Sequence, residues 1–159
     1  MASVAGWTDE VPAGEFDAVV AAAMSSSFRG AVFLLEVVPP WPLQVRWLEQ
    51  QVRVVAPTGL VHSAGEALLA VLVADMGPAE AWVLQERLRE RASTHGVRLF
   101  VGCATWPLQG SSAMGLVAAA AASLLDEHTR YQESLGDEVL FDLDGLSLTL
   151  DLAGELLTG

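Results

Sequence analysis

Apolar positions along the chain change period several times, and each change marks an element. Phe16, Val19, Val20 and Met24 recur at helical spacing and predict a short leading helix over Glu15 to Met24, closed by Ser25-Ser26-Ser27. From Gly30 the pattern becomes an apolar run of strand length, Ala31 to Val38, interrupted by one acid, Glu36, and stopped by Pro39-Pro40. Pro42 suits the first turn of a helix through Leu43, Trp47, Leu48 and Val52, and Pro57-Thr58-Gly59 then turns the chain. Two apolar runs, Leu60 to Ser63 and Leu68 to Ala74, read as a hairpin with Ala64 to Ala67 at its turn. Pro78 opens a long helix whose apolar side includes Trp82, Leu84, Leu88 and Ala92 and which ends at Gly96. Val97 to Ala104 is the next strand, and Ser111-Ser112 can cap a helix running to about His128.

The last segment alternates. Val139, Phe141 and Leu143 come before Asp144-Gly145, a strong two-residue turn signal, and Leu146, Leu148, Leu150 and Leu152 follow it. Pairing Leu143 with Leu146, Phe141 with Leu148 and Val139 with Leu150 would put all these side chains on one face, which this domain or a partner must then cover. The element order predicts an α+β, ferredoxin-like mixed sheet covered by helices on one face, with a C-terminal β-hairpin. The expected layout is an N-terminal extension with its short helix over 1–29, a central domain over 30–136, and the hairpin over 137–159 as an extension of that domain.

Composition narrows what this fold can do. With 159 residues the chain fits one domain, and no apolar run approaches the ~20 residues of a bilayer-spanning helix. The N-terminus has neither a basic start nor an apolar signal core, so a cytoplasmic location is expected. Twenty acids face eight arginines and no lysine, and the net charge of −12 argues against nucleic acid, anionic lipid and polyphosphate partners unless arginines cluster locally. Arg87, Arg89 and Arg91 alternate with Glu86 and Glu90 and read as the solvated face of a helix. The single Cys103 sits inside an apolar strand and reads as inert packing. His62, His95 and His128 have no zinc spacing and read as surface or turn residues. The five tryptophans read as core and interface anchors, with Trp41 held exposed by the prolines around it.

The helix-to-strand stretch from Leu84 to Pro107, with the hairpin before it, resembles the diguanylate cyclase (GGDEF) domain family from about Gly30 to His128, and best between Gly65 and Leu125. The resemblance implies a nucleotidyl-cyclase-like fold. In that family an acid at the end of the first strand and another in the signature turn bind magnesium, which carries the triphosphate and activates the attacking 3′-hydroxyl. By resemblance, Glu36 falls on the first of these acids. Ala64-Gly65-Glu66-Ala67-Leu68 falls on the signature, with Glu66 in the metal-binding place and Leu68 in the apolar one. A shift of one residue would instead put Gly65 in the metal place.

Several family positions are altered. The second signature acid is Ala67, and Pro39-Pro40-Trp41 stands where the family has an aspartate, a phenylalanine and a lysine. His128 replaces the lysine ending the last family helix, and Gly136-Asp137-Glu138 replaces its basic tail. Val55 and Thr58 replace the inhibitory Arg-x-x-Asp motif. The resemblance thus implies a degenerate domain whose Glu36 and Glu66 are a vestigial pair, with no catalytic residue, metal or cofactor expected.

Three functional classes follow, in order of preference. The first is a non-catalytic regulatory or scaffolding module that binds protein, a second copy of itself among the candidates, through Trp41 and the apolar hairpin face. The second senses GTP or cyclic di-GMP without turnover, although nucleotide binding is disfavoured by charge, and the third is an active cyclase.

Overall fold

The structure is a computed structural model that describes residues 13–146, with side chains described from 15 to 135. The elements run α1 (Ala13–Ser26), β1 (Gly30–Val38), α2 (Pro42–Val55), β2 (Leu60–Ser63), β3 (Leu68–Ala74), α3 (Pro78–His95), β4 (Arg98–Trp106) and α4 (Ala113–Leu146). The chain divides into two compact units, one ending at Leu125 and the other starting at Asp126, both contributing to α4.

In the first unit the four strands form one sheet in the order β2-β3-β1-β4. Every neighbouring pair is antiparallel, which corrects the expected mixed sheet. The α+β fold class holds. The two βαβ-like halves each return through a helix to a strand that is not the immediate neighbour of the first, which is how an antiparallel order arises from alternating elements.

Helices cover both faces, not one. Because successive strand residues point to opposite faces, Ala31, Phe33, Leu35 and Val37 join Leu48 and Val52 of α2 and Leu84 and Leu88 of α3 in one core. Val32 and Leu34 join Phe16 and Val20 of α1 and Leu116 and Ala120 of α4 in the other. Burial on both faces explains why β1, apart from Glu36, reads as a continuous apolar run where an open sheet would alternate.

Two glycines set how closely these layers approach. A Cβ on Gly30 would fall inside the ring of Trp106, its partner across the β1–β4 ladder, and the indole N–H donates to the Ser27 carbonyl at 2.9 Å. A Cβ on Gly102 would strike the α4 backbone at Ala120 and Leu124, so the missing side chain lets α4 lie directly on β4.

The C-terminal expectation is corrected. α4 continues through Leu146, so Val139, Phe141, Leu143, the turn at Asp144-Gly145 and Leu146 all lie in helix. Leu148, Leu150 and Leu152 fall outside the described residues. The physical reason is a competing period: Leu135, Val139, Leu143 and Leu146 also recur at helical spacing. A helix already nucleated at Ser112 adds residues without a second nucleation cost, whereas a hairpin must close its own turn. At that start Ser112 Oγ accepts the Gly115 N–H at 3.1 Å, as its cap position predicts.

Candidate functional site

The C-terminal end of β1 and the β2–β3 turn lie side by side. Strand β2 stops at Ser63 and β3 starts at Leu68, and the Ala64 N–H donates to the Leu68 carbonyl at 2.9 Å, closing the turn over Ala64 to Ala67 as the sequence predicts. Leu68 pairs with Glu36 in the β1–β3 ladder, and the Val37 N–H reaches the Ala67 carbonyl at 3.3 Å. The fold therefore brings Glu36 next to the turn that carries Glu66, although about 30 residues separate them in sequence. Glu36 is half-buried at the margin of the sheet, while Ala64, Gly65 and Glu66 are exposed and Ala67 and Leu68 half-buried.

Past Val38 the chain enters α2 abruptly. Trp41 is the N-cap residue, in extended backbone, and its carbonyl accepts the N–H groups of Gln44 at 2.9 Å and Val45 at 3.0 Å. Its side chain makes no capping bond. Ser, Thr, Asp or Asn at that place would stabilise the helix by about 1 kcal/mol relative to a non-capping residue. Here the position is filled by an indole that is 61% exposed, beside Leu43 at 75%. The expectation that the prolines hold Trp41 in solvent is met.

The remaining charged and nucleophilic groups are arranged as follows. Arg89 Nε lies 3.5 Å from Glu86 Oε2 one helical turn away, and Arg91 donates to Gln51 Oε1 at 2.7 Å, consistent with a solvated helix face that also ties α3 to α2. Arg29 bridges Asp75 at 3.3 Å and Glu80 at 3.6 Å, while Glu80 also accepts the Gly77 N–H at the start of α3. The Cys103 thiol is held inert: desolvation raises its pKa from the ordinary 9.0 to about 12, so it is uncharged at neutral pH.

Two aromatic expectations change. His62 is buried and stacks on Phe16 of α1, with ring centroids 5.3 Å apart, where a surface position was expected. Its neighbour in the ladder is Ala70, a small residue that leaves room for α1 to cover β2. Trp82, placed by periodicity on the apolar side of α3, is 61% exposed, because Ala81, Leu84, Leu88 and Ala92 already supply the buried stripe. Exposed His95 stacks on Trp47 of α2 at 4.2 Å, and half-buried His128 lies on α4. Among the described residues no three His, Cys, Asp or Glu side chains are grouped to hold a metal ion. No described helix is long and apolar enough to cross a membrane.

Sequence reasoning missed one grouping. Arg89 on α3 and Arg98 on β4 line the same cavity, because left-handed Gly96 (φ 77°) reverses the chain between them. The signal was present in the sequence as a glycine at the end of a predicted helix, flanked by arginines.

No protein-family model matches the chain, and no curated protein matches it in sequence. Solved structures do match. The GGDEF domain of TpbB (YfiN) from Pseudomonas aeruginosa superposes with a TM-score of 0.68 at 14% identity, covering 79% of this chain and 88% of that one. The FimX GGDEF domain of the same organism gives 0.64 at 15% identity, covering 79% and 93%. The GGDEF domain of DgcB from Caulobacter crescentus, solved in complex with c-di-GMP, gives 0.65 at 16% identity, covering 78% and 88%. With sequence identity this low it is the path of the backbone that is shared, and by that path the chain has the fold of a GGDEF domain.

Proposed function

We propose that this chain is a non-catalytic GGDEF-fold domain that acts as a regulatory or scaffolding module by binding protein, with Trp41 as an anchor of the contact. The observation that carries the reading is the N-cap of α2, where a stabilising polar cap is given up for an indole that is mostly in solvent. Exposed tryptophans rimmed by apolar neighbours are the residues that dominate protein–protein contacts. Leu43 extends the exposed apolar surface.

The chemistry of the site supports the same reading. Magnesium and a triphosphate, which the fold family implies, would require carboxylates around the metal and cations around the phosphates. The turn supplies one acid, Glu66, with Ala67 following it, and the loop after β1 supplies Pro39, Pro40 and Trp41. Glu36 at the end of β1 and Glu66 in the adjacent turn keep acids at the two metal-binding places, but the loop after β1 offers no cation for the phosphates, so the set as a whole does not fit a magnesium–triphosphate centre.

The test is incubation of the protein with GTP and magnesium or manganese, with product detected by mass. No cyclic di-GMP is expected. Product that disappears in Glu66→Ala would overturn the reading in favour of an active cyclase. Calorimetry distinguishes the sensing alternative: a dissociation constant for cyclic di-GMP weaker than roughly 100 μM is expected, and low-micromolar binding would put sensing first.

A further inference from the structure

At the start of α3 a carboxylate is already committed. Glu80 Oε1 accepts the Gly77 N–H at 2.7 Å and lies 3.6 Å from Arg29. The same Glu80 lines a cavity of about 350 Å³ between the end of α2 and the first turns of α3, together with Val55, Met76, Ala79, Val83, Leu84 and Arg87. Leu84 is buried, Val55 and Met76 are half-buried and Val83 is exposed, so apolar wall runs from the core out to solvent. Arg87 is exposed, and among the described residues no ion pair or hydrogen bond engages it, from Glu80 or any other group. The cavity therefore combines apolar walls with one uncompensated guanidinium.

We propose that this cavity binds a small apolar molecule carrying a single carboxylate. Small-molecule sites typically enclose about 300–1,000 Å³, with mostly apolar walls and a few polar groups that fix orientation, and this one has that composition. A free guanidinium presents a planar fork of N–H donors that matches a carboxylate. One cation calls for one charge. A phosphate monoester brings about −1.5 to −2 at neutral pH and would meet the field of a −12 chain with more charge than Arg87 can offset.

Three effects oppose an anion here, and each is limited. Glu80 keeps its charge, but Arg29 and the positive end of the α3 dipole both act on it and reduce its field in the cavity. The C-terminus of α2 at Val55 carries partial negative charge, yet the Val52 carbonyl there already accepts the Ala56 N–H at 2.7 Å. The acidic surface repels anions at a distance, but that field fades over roughly 8 Å at physiological ionic strength, so contacts within the cavity decide.

The test is a methyl NMR titration of the full chain at constant ionic strength, with hexanoate, hexanol, acetate and hexyl phosphate as probes. Hexanoate should give saturating shifts confined to Val55, Met76, Val83 and Leu84. Acetate, which lacks most of the apolar body, should need a concentration at least about tenfold higher. Hexanol, which lacks the charge, should need about threefold more than hexanoate. Arg87→Gln, at an exposed position, should bring hexanoate down to the affinity of hexanol and leave hexanol unchanged, which separates loss of the charge from loss of the fold. Hexanoate that binds no tighter than hexanol, or that keeps its affinity in Arg87→Gln, would overturn the proposal. So would hexyl phosphate binding tighter than hexanoate, or shifts that never saturate or that spread over the surface.

Discussion

At its N-terminal end β1 starts from Gly30 beneath the buried ring of Trp106, and the loop leading into it is tied down by the indole bond to Ser27. At its C-terminal end the same nine-residue strand carries half-buried Glu36, passes the exposed turn at Glu66, and runs into a proline loop that presents Trp41. One tryptophan is 3% exposed and the other 61%. The contrast teaches which residues belong to the scaffold and which are open to function. At the first end side chains are fixed by shape, so substitution should unfold the protein. At the second, little packing depends on side-chain identity, so substitution should change what the protein binds and leave its stability nearly intact.

The largest effect that would sharpen this contrast is Trp106→Ala. Removing a buried ring of that size should cost about 3–5 kcal/mol, measured by urea unfolding. Gly30→Ala should cost about 1–3 kcal/mol through overpacking against the ring. In the Trp106→Ala background the same alanine should cost much less, since the obstructing ring is gone. Equal costs in both backgrounds would show that Gly30 is required for a reason other than the ring.

Intermediate in size is the effect of Cys103 on the outer strand β4. Its folded pKa is raised to about 12 from 9.0, so above pH 9 the unfolded chain loses this proton while the folded chain keeps it. The thiol's contribution to stability is therefore complete below pH 9 and is lost as pH rises from 9 toward 12. Wild type should lose stability more steeply than Cys103→Ala over that window, and iodoacetamide should leave the native thiol unmodified at pH 8. Rapid native alkylation would contradict its burial.

The smallest effects belong to the other end. Glu66→Gln and Trp41→Ala should each change unfolding free energy by no more than about 0.5 kcal/mol. A loss of several kcal/mol from Trp41→Ala would break the comparison and make the indole a structural element.

Much of this scaffold was legible because its signals were local. Pro42 and Pro78 open helices, Gly96 closes one, and the β2–β3 turn lies over Ala64 to Ala67 as patterned. The sequence was misleading where two readings shared one pattern. Alternation at Val139, Phe141 and Leu143 hid a helical stripe that also includes Leu135, and only the continuation of α4 decides between them. Burial of His62 depends on α1 folding back over β2, a long-range event that no local spacing encodes. The candidate site divides in the same way. The turn and Glu36 could be placed from strand ends, whereas the pairing of Arg89 with Arg98 required knowing that α3 and β4 meet at one cavity.

The close approach permitted by Gly102 also bears on how the molecule behaves in a crowded solution. Strand β4 is an outer strand of the sheet, and the N–H of Cys103 is donated at 3.2 Å to Ser123 Oγ of α4. A helix laid against an outer strand in this way occupies a position where a foreign strand could otherwise be templated. The opposite border, β2, is only four residues long and offers a short docking ladder. The fold thus carries its own protection against edge-to-edge polymerisation, and bulk introduced at Gly102 would be expected to produce fibrillar aggregates as well as a less stable monomer.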